Sequence, residues 1–163
     1  MVKVLIVYYS RTGHIRKMAE AAGKGAKMPG VEITICEAKD CTMEQLLDHD
    51  GIIVGSPTYY GLVAGEIKDL FDRSVIHHGK LQGKVGGAFA SAGILGGGVE
   101  TTIMSMLQIM LVHGMVIQGQ SKGCHYGAVS IGSPDDKALE EAELLGKRVA
   151  KLTLKLHDIP LSE

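Results

Sequence analysis

The chain has no tryptophan and no asparagine, and only three cysteines among its 163 residues. Without tryptophan, the largest flat side chain for stacking a ring is missing. Without asparagine, left-handed turn positions depend mainly on the 22 glycines and on aspartate. Cys36, Cys41 and Cys124 cannot all pair, and no C-x-x-C motif is present. We therefore expect neither a disulfide framework nor a metal site, but reduced thiols in a cytoplasmic protein.

Neither sign of charge dominates, because the net charge is −1 and the isoelectric point is about 6.6. This balance predicts no nucleic-acid partner and no attraction to an anionic membrane. No apolar run reaches the roughly 18 residues that would span a bilayer, so no membrane insertion is expected, and the first residues lack the pattern of a signal peptide. With 45% hydrophobic residues, the composition fits one globular domain over residues 1–163.

Strand and helix patterns alternate along the chain. The predicted strands cover residues 2–9, 31–36, 51–56, 84–91 and 115–118. The predicted helices cover residues 16–27, 42–47, 64–74, 99–112 and 134–156. Parallel strands need crossover helices, so this order predicts an α/β fold with a doubly wound five-stranded parallel sheet in three α/β/α layers. Ligands of such folds bind beyond the carboxyl ends of the strands.

The first predicted strand leads directly into Ser10-Arg11-Thr12-Gly13-His14-Ile15, which we call the first loop, and then into a helix. A helix N-terminus offers unpaired N–H groups and the positive end of the helix dipole, so it attracts phosphate. Ser10 and Thr12 add hydroxyl groups, and Gly13 allows a left-handed backbone or close approach. The alternative is an ordinary capped helix without a ligand.

Two further loops follow the third and fourth predicted strands. In the second loop, residues 56–65, proline, two tyrosines and glycine offer a stiff backbone and flat amphipathic faces. In the third loop, residues 91–98, four glycines permit close approach of a planar ligand. Neither residues 93–98 nor 79–85 has the context of a dinucleotide fingerprint or a P-loop, so a mononucleotide with one phosphate fits better.

The three loops, taken in order, resemble the FMN-binding loops of flavodoxin-like proteins. Residues 83–85, 113–117 and 126–128 are most similar to WrbA-type NAD(P)H:quinone oxidoreductases. The resemblance covers nearly the whole chain. The chain is shorter than those enzymes, notably at residues 119–125, where the family carries additional segments that help to shape the substrate pocket and the tetramer.

The resemblance implies tightly bound FMN, with NAD(P)H as co-substrate. It implies that the phosphate is held by Ser10, Thr12, Gly13, His14 and Ile15, with Arg11 as an additional cation. It implies that the isoalloxazine ring is flanked by Pro57, Thr58, Tyr59, Tyr60, Gly61, Ser91, Ala92, Gly93, Gly96, Gly97 and Gly98. His113 matches a histidine that lies near the flavin in the family and is a candidate for contacting the acceptor. Its other interpretation is an ordinary cap at a helix C-terminus.

These implications predict an FMN-dependent oxidoreductase that passes electrons from NAD(P)H to a quinone or similar small-molecule acceptor. The alternative is a flavodoxin-type electron carrier that docks on redox partners. The net charge of only −1 favours the enzyme, because such carriers tend to be markedly acidic. The glycines on the third loop also favour it, because they leave one ring face open to a nicotinamide. The apolar stripe of the fourth helix is broad for one buried face, which predicts a homodimer or homotetramer. That stripe comprises Met104, Met106, Leu107, Met110 and Leu111.

Overall fold

The computed structural model describes residues 1–157, so the last six residues of the predicted domain lie outside the described part. The strands are β1 (Val2–Tyr8), β2 (Val31–Glu37), β3 (Gly51–Pro57), β4 (Val85–Ala92), β5 (Val116–Ile117) and β6 (Ala128–Ile131). The helices are α1 (His14–Ala26), α2 (Met43–Asp48), α3 (Gly65–Arg73), α4 (Val99–Val112) and α5 (Asp136–Leu156). A short 3₁₀ turn, Ser74–His77, follows α3. No helix within residues 1–157 is long and apolar enough to cross a membrane.

The sheet has the order β2-β1-β3-β4-β5, and every pairing is parallel. The order in which strands are added to the sheet reverses at the β1–β3 pair, and ligands of doubly wound sheets bind at this switch point. The predicted fold class is confirmed.

The sheet contains the five predicted parallel strands in order and one further short strand, β6, at its edge. β5 is only two residues long and pairs with the beginning of β4, whereas β6 pairs with residues 89–92 at the end of β4. The intervening segment, 118–127, therefore interrupts one edge position of the sheet. The predicted strand at 115–118 captured only the first piece, because the four residues of β6 are too few to give a periodic signal.

Apolar side chains fill both faces of the sheet. One core joins the sheet to α3 and α4 and includes Leu5, Ile52, Leu70, Ile103 and Met110. The other core joins the sheet to α1 and α5 and includes Ile6, Met18, Ile53, Phe89 and Val149. Strands covered on both faces by helices explain the continuous apolar runs of the sequence.

Caps fix where several helices begin. Gly13 adopts a left-handed conformation with φ 88°, so α1 begins at His14, two residues before the predicted start. Thr42 and Gln45 form a capping box at α2. Asp135 accepts from the Ala138 N–H at 2.8 Å, so α5 begins at Asp136 rather than at residue 134.

Glycine brings α1 and α5 unusually close together. A Cβ atom added at Gly146 would lie 1.9 Å from the Ala22 carbonyl oxygen, and one added at Gly25 would lie 1.9 Å from that of Glu143. The two backbones are therefore in direct contact on this face. This close contact holds the N-terminal half of the chain, and with it the first loop, against the last helix.

Candidate functional site

The three loops identified in the sequence meet at the carboxyl ends of β1, β3 and β4. They line a cavity of about 300 Å³, which we call the carboxyl-edge cleft. The predicted residues that line it are Ser10, Arg11, Thr12, His14, Ile15, Pro57, Thr58, Tyr59, Ser91, Ala92 and Gly93. Gly132 also lines the cleft. The sequence pattern did not indicate Gly132, because Gly132 follows β6, a strand too short to be predicted.

The first loop presents backbone donors at the start of α1. Ser10 Oγ accepts from the N–H groups of Gly13 and Arg16, each at 3.2 Å, which fixes the turn. The N–H groups of Thr12, His14 and Ile15 donate to no acceptor within residues 1–157. Three such donors at a helix N-terminus form an anion site. The hydroxyl proton of Ser10 remains available to donate into the cleft.

Two arginines near this loop have different surroundings. Arg11 is exposed and lines the cleft. Arg16 lies outside the lining, where its Nε donates to the Tyr8 hydroxyl at 3.2 Å and its Nη2 pairs with Glu37. The bond from Arg16 lowers the pKa of Glu37. Arg16 is thus already engaged, whereas Arg11 is placed beside the anion site.

The second loop turns sharply over the cleft. Tyr59 and Leu62 exchange backbone hydrogen bonds at 3.1 Å in both directions. The central residues Tyr60 and Gly61 both have positive φ, 49° and 79°, as in a type I′ turn. A bulky residue with positive φ is strained, and such strain clusters at functional sites. The Tyr60 side chain is fully exposed and lies outside the cleft lining.

Thr58 connects the second loop to the third and leaves one polar atom unpaired. Its N–H donates to the Ser91 carbonyl at 2.7 Å. Its Oγ1 is buried without a partner among the described residues, although Thr58 lines the cleft. A buried hydroxyl without a partner is uncommon in proteins and indicates a ligand or water partner. The rings of Tyr59 and Tyr9 pack edge to face, with 6.3 Å between their centroids.

The third loop packs against the second through glycine. A Cβ atom at Gly98 would lie 2.8 Å from the Gly61 Cα, and Gly98 has φ 93°. Thr101 Oγ1 lies 2.7 Å from the Gly61 carbonyl oxygen and 2.9 Å from that of Gly98. Gly96 and Gly97 lie on the exposed part of this loop beside Ile94 and Leu95, outside the cleft lining. The loop contains no aromatic residue, so it leaves one face of a planar ligand uncovered.

The structure does not bring His113 to the cleft of its own chain. His113 ends α4, whereas the third loop precedes that helix, and the 14 residues between them span about 20 Å. Its Nε2 lies 3.4 Å from Ser74 Oγ, and its ring packs on Phe71. Burial, together with the charge of His78, lowers the pKa of His113. His113 therefore does not line the carboxyl-edge cleft of its own chain, and its contact with the acceptor stays a prediction.

An apolar groove of about 470 Å³ runs between α3 and α4 from Leu62 to His113, and we call it the α3–α4 groove. The methionine-rich stripe of α4 is divided between two environments. Met106, Leu107 and Met110 are buried in the core. Met104 and Leu111 are 37% and 58% exposed. The breadth of the stripe thus reflects a core face and a separate exposed edge.

Known proteins share this sequence and architecture. Residues 40–126 match the family described as NADPH-dependent FMN reductase. A relative named NAD(P)H dehydrogenase (quinone) from Sinorhizobium fredii is 37% identical over 97% of this chain and 100% of the relative. A relative with the same name from Archaeoglobus fulgidus is 32% identical over 96% of this chain and 100% of the relative.

Solved structures agree with these sequence relatives. A WrbA-like flavodoxin from Agrobacterium tumefaciens has a TM-score of 0.81 at 28% identity, over 95% of this chain and 99% of the other. A flavodoxin from the Archaea has a TM-score of 0.78 at 27% identity, over 93% and 99%. From its sheet order, its three joined loops and these similarities, the chain belongs to the flavodoxin-like family of WrbA-type proteins and NADPH-dependent FMN reductases.

Proposed function

We propose that this protein is an FMN-dependent oxidoreductase that passes electrons from NAD(P)H to a quinone or similar small-molecule acceptor. The observation that carries the proposal is the carboxyl-edge cleft, where three separate loops join phosphate donors to a platform open on one face. The names of the full-length relatives support the same reaction class. When bound, FMN supplies the hydride and electron chemistry, and the protein supplies binding and orientation.

The residues of the cleft fit FMN. Its single phosphate needs several N–H donors, and the first loop offers those of Thr12, His14 and Ile15, with the hydroxyls of Ser10 and Thr12 beside them. Arg11 adds one positive charge without a rigid contact. Gly13 completes this phosphate site by holding the backbone in its left-handed turn. We see no second set of phosphate donors in this cleft, which favours FMN over FAD.

The second and third loops suit the flavin ring. Pro57, Thr58 and Tyr59 form one wall, and the unpaired Thr58 Oγ1 offers a hydrogen bond to a ring heteroatom. Ser91, Ala92 and Gly93 continue the lining beside them, joined by the bond from the Thr58 N–H to the Ser91 carbonyl. Tyr60 and Gly61 follow in the second loop, and Gly61 approaches Gly98 of the third loop, which also contains Gly96 and Gly97. This arrangement leaves room for a nicotinamide or an acceptor to reach the ring in turn.

We further propose that the active form is a homodimer or homotetramer in which the α3–α4 groove is covered. The groove begins at Leu62 of the second loop and ends at His113. A two-fold axis across this groove would make two copies of α4 antiparallel and bring His113 of one copy toward Leu62 of the other. A catalytic role of His113 at the acceptor requires such an arrangement. The reduced state of all three cysteines suits a cytoplasmic protein.

The second candidate is a flavodoxin-type electron carrier, favoured by the structural similarity to an archaeal flavodoxin. A carrier takes electrons from a protein partner, whereas the proposed enzyme takes them directly from a nicotinamide. Anaerobic stopped-flow mixing of the flavin-loaded protein with NADH or NADPH separates the two. Bleaching of the flavin absorbance on the timescale of turnover is expected. A flavin that both nucleotides leave oxidised would exclude the enzyme.

Thr12→Asp tests the phosphate site. It places a carboxylate beside the phosphate, where like charges a few ångströms apart repel by on the order of several kcal/mol. We expect FMN affinity to fall at least about a hundredfold while circular dichroism shows an intact fold. Thr12→Asn is the matched control, since it has the same shape without the charge and should retain most of the affinity. Equal FMN affinity of both variants and the parent would show that the first loop does not bind the phosphate.

A further inference from the structure

A second cleft, larger than the carboxyl-edge cleft, lies between α5 and the segment that interrupts the sheet edge. Its volume is about 580 Å³. We call it the basic cleft. Its lining comprises Gln118, Gly119, Gln120, Ser121, Leu144, Lys147, Arg148, Lys151, Leu152 and Lys155. Four of these ten residues are cationic and none is acidic.

The α5 residues of the basic cleft form one stripe. Counted from Leu144, they occur at i, i+3, i+4, i+7, i+8 and i+11, which places them along one side of the helix. Lys147 and Lys151 are therefore neighbours one turn apart, and their like charges repel. Leu144 and Leu152 alternate with the cations, so the stripe combines positive charge with apolar surface.

None of the four cations forms an ion pair with any of residues 1–157. Elsewhere on the surface, cations such as Lys24, Lys68 and Arg73 each pair with a carboxylate. Glu141, one turn before Leu144 on α5, accepts from Gln120 Nε2 at 3.2 Å. Positive charge is thus concentrated here, and within residues 1–157 no carboxylate pairs with it directly.

Arg148 is held rigidly in the floor of the basic cleft. Its Nη1 donates to Gln120 Oε1, and Gln120 in turn bonds to Glu141. Its Nε is buried and donates to no acceptor among the described residues. Burial lowers the pKa of Arg148, against the opposing charge of Glu141, but a guanidinium remains charged at neutral pH. The chain therefore keeps a half-buried cation whose hydrogen-bonding capacity is not fully used.

Helix stability alone does not explain this arrangement. Cations near a helix C-terminus complement its dipole, but the effect is confined to the last turn. Lys155 is the basic residue of that turn in α5. Arg148 lies two turns earlier, and its burial carries a desolvation cost that an exposed position would avoid.

We propose that the basic cleft binds the phosphate chain of a small anion. Lys147, Lys151 and Lys155 would neutralise successive phosphates, and Arg148 would donate from the floor in the geometry that suits phosphate oxygens. A nucleotide tail and an inorganic oligophosphate share this chemistry. Leu144 and Leu152 provide apolar surface that a nucleotide base can cover and an inorganic chain cannot.

The basic cleft is separate from the carboxyl-edge cleft. Gly132 of the carboxyl-edge cleft precedes α5, whereas Arg148 lies 12 residues into that helix, about 18 Å along its axis. Occupancy of the two clefts can therefore be measured independently. The proposal does not depend on the reaction that the flavin carries.

Isothermal titration of the flavin-loaded protein with tripolyphosphate, ATP and adenosine tests this proposal at low ionic strength. We expect tripolyphosphate and ATP to bind, adenosine not to bind, and both affinities to fall steeply as salt is added. ATP binding at least about fivefold tighter than tripolyphosphate identifies a nucleotide as the occupant. Equal affinities identify the phosphate chain alone.

The double variant K147E/K151E should lose at least about tenfold in affinity for both anions. The matched control K27E/K80E makes the same change in net charge at two exposed lysines outside the cleft and should retain the affinity. Circular dichroism and flavin content verify that both variants are folded. Absence of tripolyphosphate binding to the parent, unchanged binding to K147E/K151E, or an equal loss in the control would each overturn the proposal.

Discussion

The two helical layers of the sheet differ in how completely they are buried within one chain. In the layer of α1 and α5, the backbones meet through Gly25 and Gly146, where not even a methyl group would fit. The layer of α3 and α4 instead exposes apolar side chains around the α3–α4 groove. Val75, Ile76, Leu111 and Val112 are 68%, 77%, 58% and 78% exposed.

The α1–α5 layer is closely packed within one chain, whereas the α3–α4 layer leaves apolar side chains exposed. Close contact between α1 and α5 buries a continuous core without help from any partner. The cluster of exposed apolar residues near the α3–α4 groove is typical of an interaction site, since monomeric proteins rarely expose such patches without a function. The exposed apolar side chains of the α3–α4 layer are therefore the surface on which the proposed homodimer or homotetramer depends.

The largest expected effect is loss of stability in the α1–α5 layer. Gly146→Ala places a methyl group against the Ala22 carbonyl and forces the helices apart. Overpacking of this kind costs about 1–3 kcal/mol or more, which outweighs the gain of about 1 kcal/mol from better helix propensity. We expect urea denaturation to show a clear net loss of unfolding free energy. Gly65→Ala is the control, because a Cβ there meets nothing within 4 Å and should leave stability equal or slightly higher.

The next largest effect is expected on self-association through the α3–α4 layer. Val112→Lys puts a cation on an exposed apolar position at the C-terminal end of α4, where the helix dipole tolerates it. We expect stability to change by less than about 0.5 kcal/mol, as at ordinary surface sites. Sedimentation should show self-association weakened at least about tenfold. If the parent protein is monomeric at micromolar concentration, the proposed homodimer or homotetramer is contradicted.

The smallest effect concerns His113. Its folded-state pKa lies below the ordinary 6.5, so the unfolded chain takes up the proton first and acidification favours unfolding. The parent should therefore lose stability between about pH 7 and pH 5, and His113→Gln should lose less over the same range. Chemical denaturation at several pH values measures this difference, and an equally steep loss in the variant would contradict the assignment.

The same variant separates capping from catalysis. If His113 only ends α4, turnover should stay at the parent rate. If it contacts the acceptor across a subunit interface, kcat/KM for the quinone should fall at least about tenfold while flavin reduction by NAD(P)H is unchanged. Stopped-flow measurement of the two half-reactions distinguishes these outcomes.

The sequence by itself determined the layered fold and the position of the three cleft loops. Buried strands produce unbroken apolar runs, and loops at their carboxyl ends follow directly in the chain, so both signals are local. The first loop illustrates this: Ser10, Gly13 and the start of α1 lie within a few residues of one another, and their interaction needs no distant partner.

Only the tertiary structure decided which distant residues share a surface. β6 and Gly132 gained their places by pairing with β4, and α4 separated His113 from the cleft of its own chain. Arg148 became a cleft residue because Gln120, 28 positions away, holds it from the interrupted strand. The physical reason is that such contacts depend on how elements pack across the sheet, whereas periodicity and composition report only on neighbours in the chain.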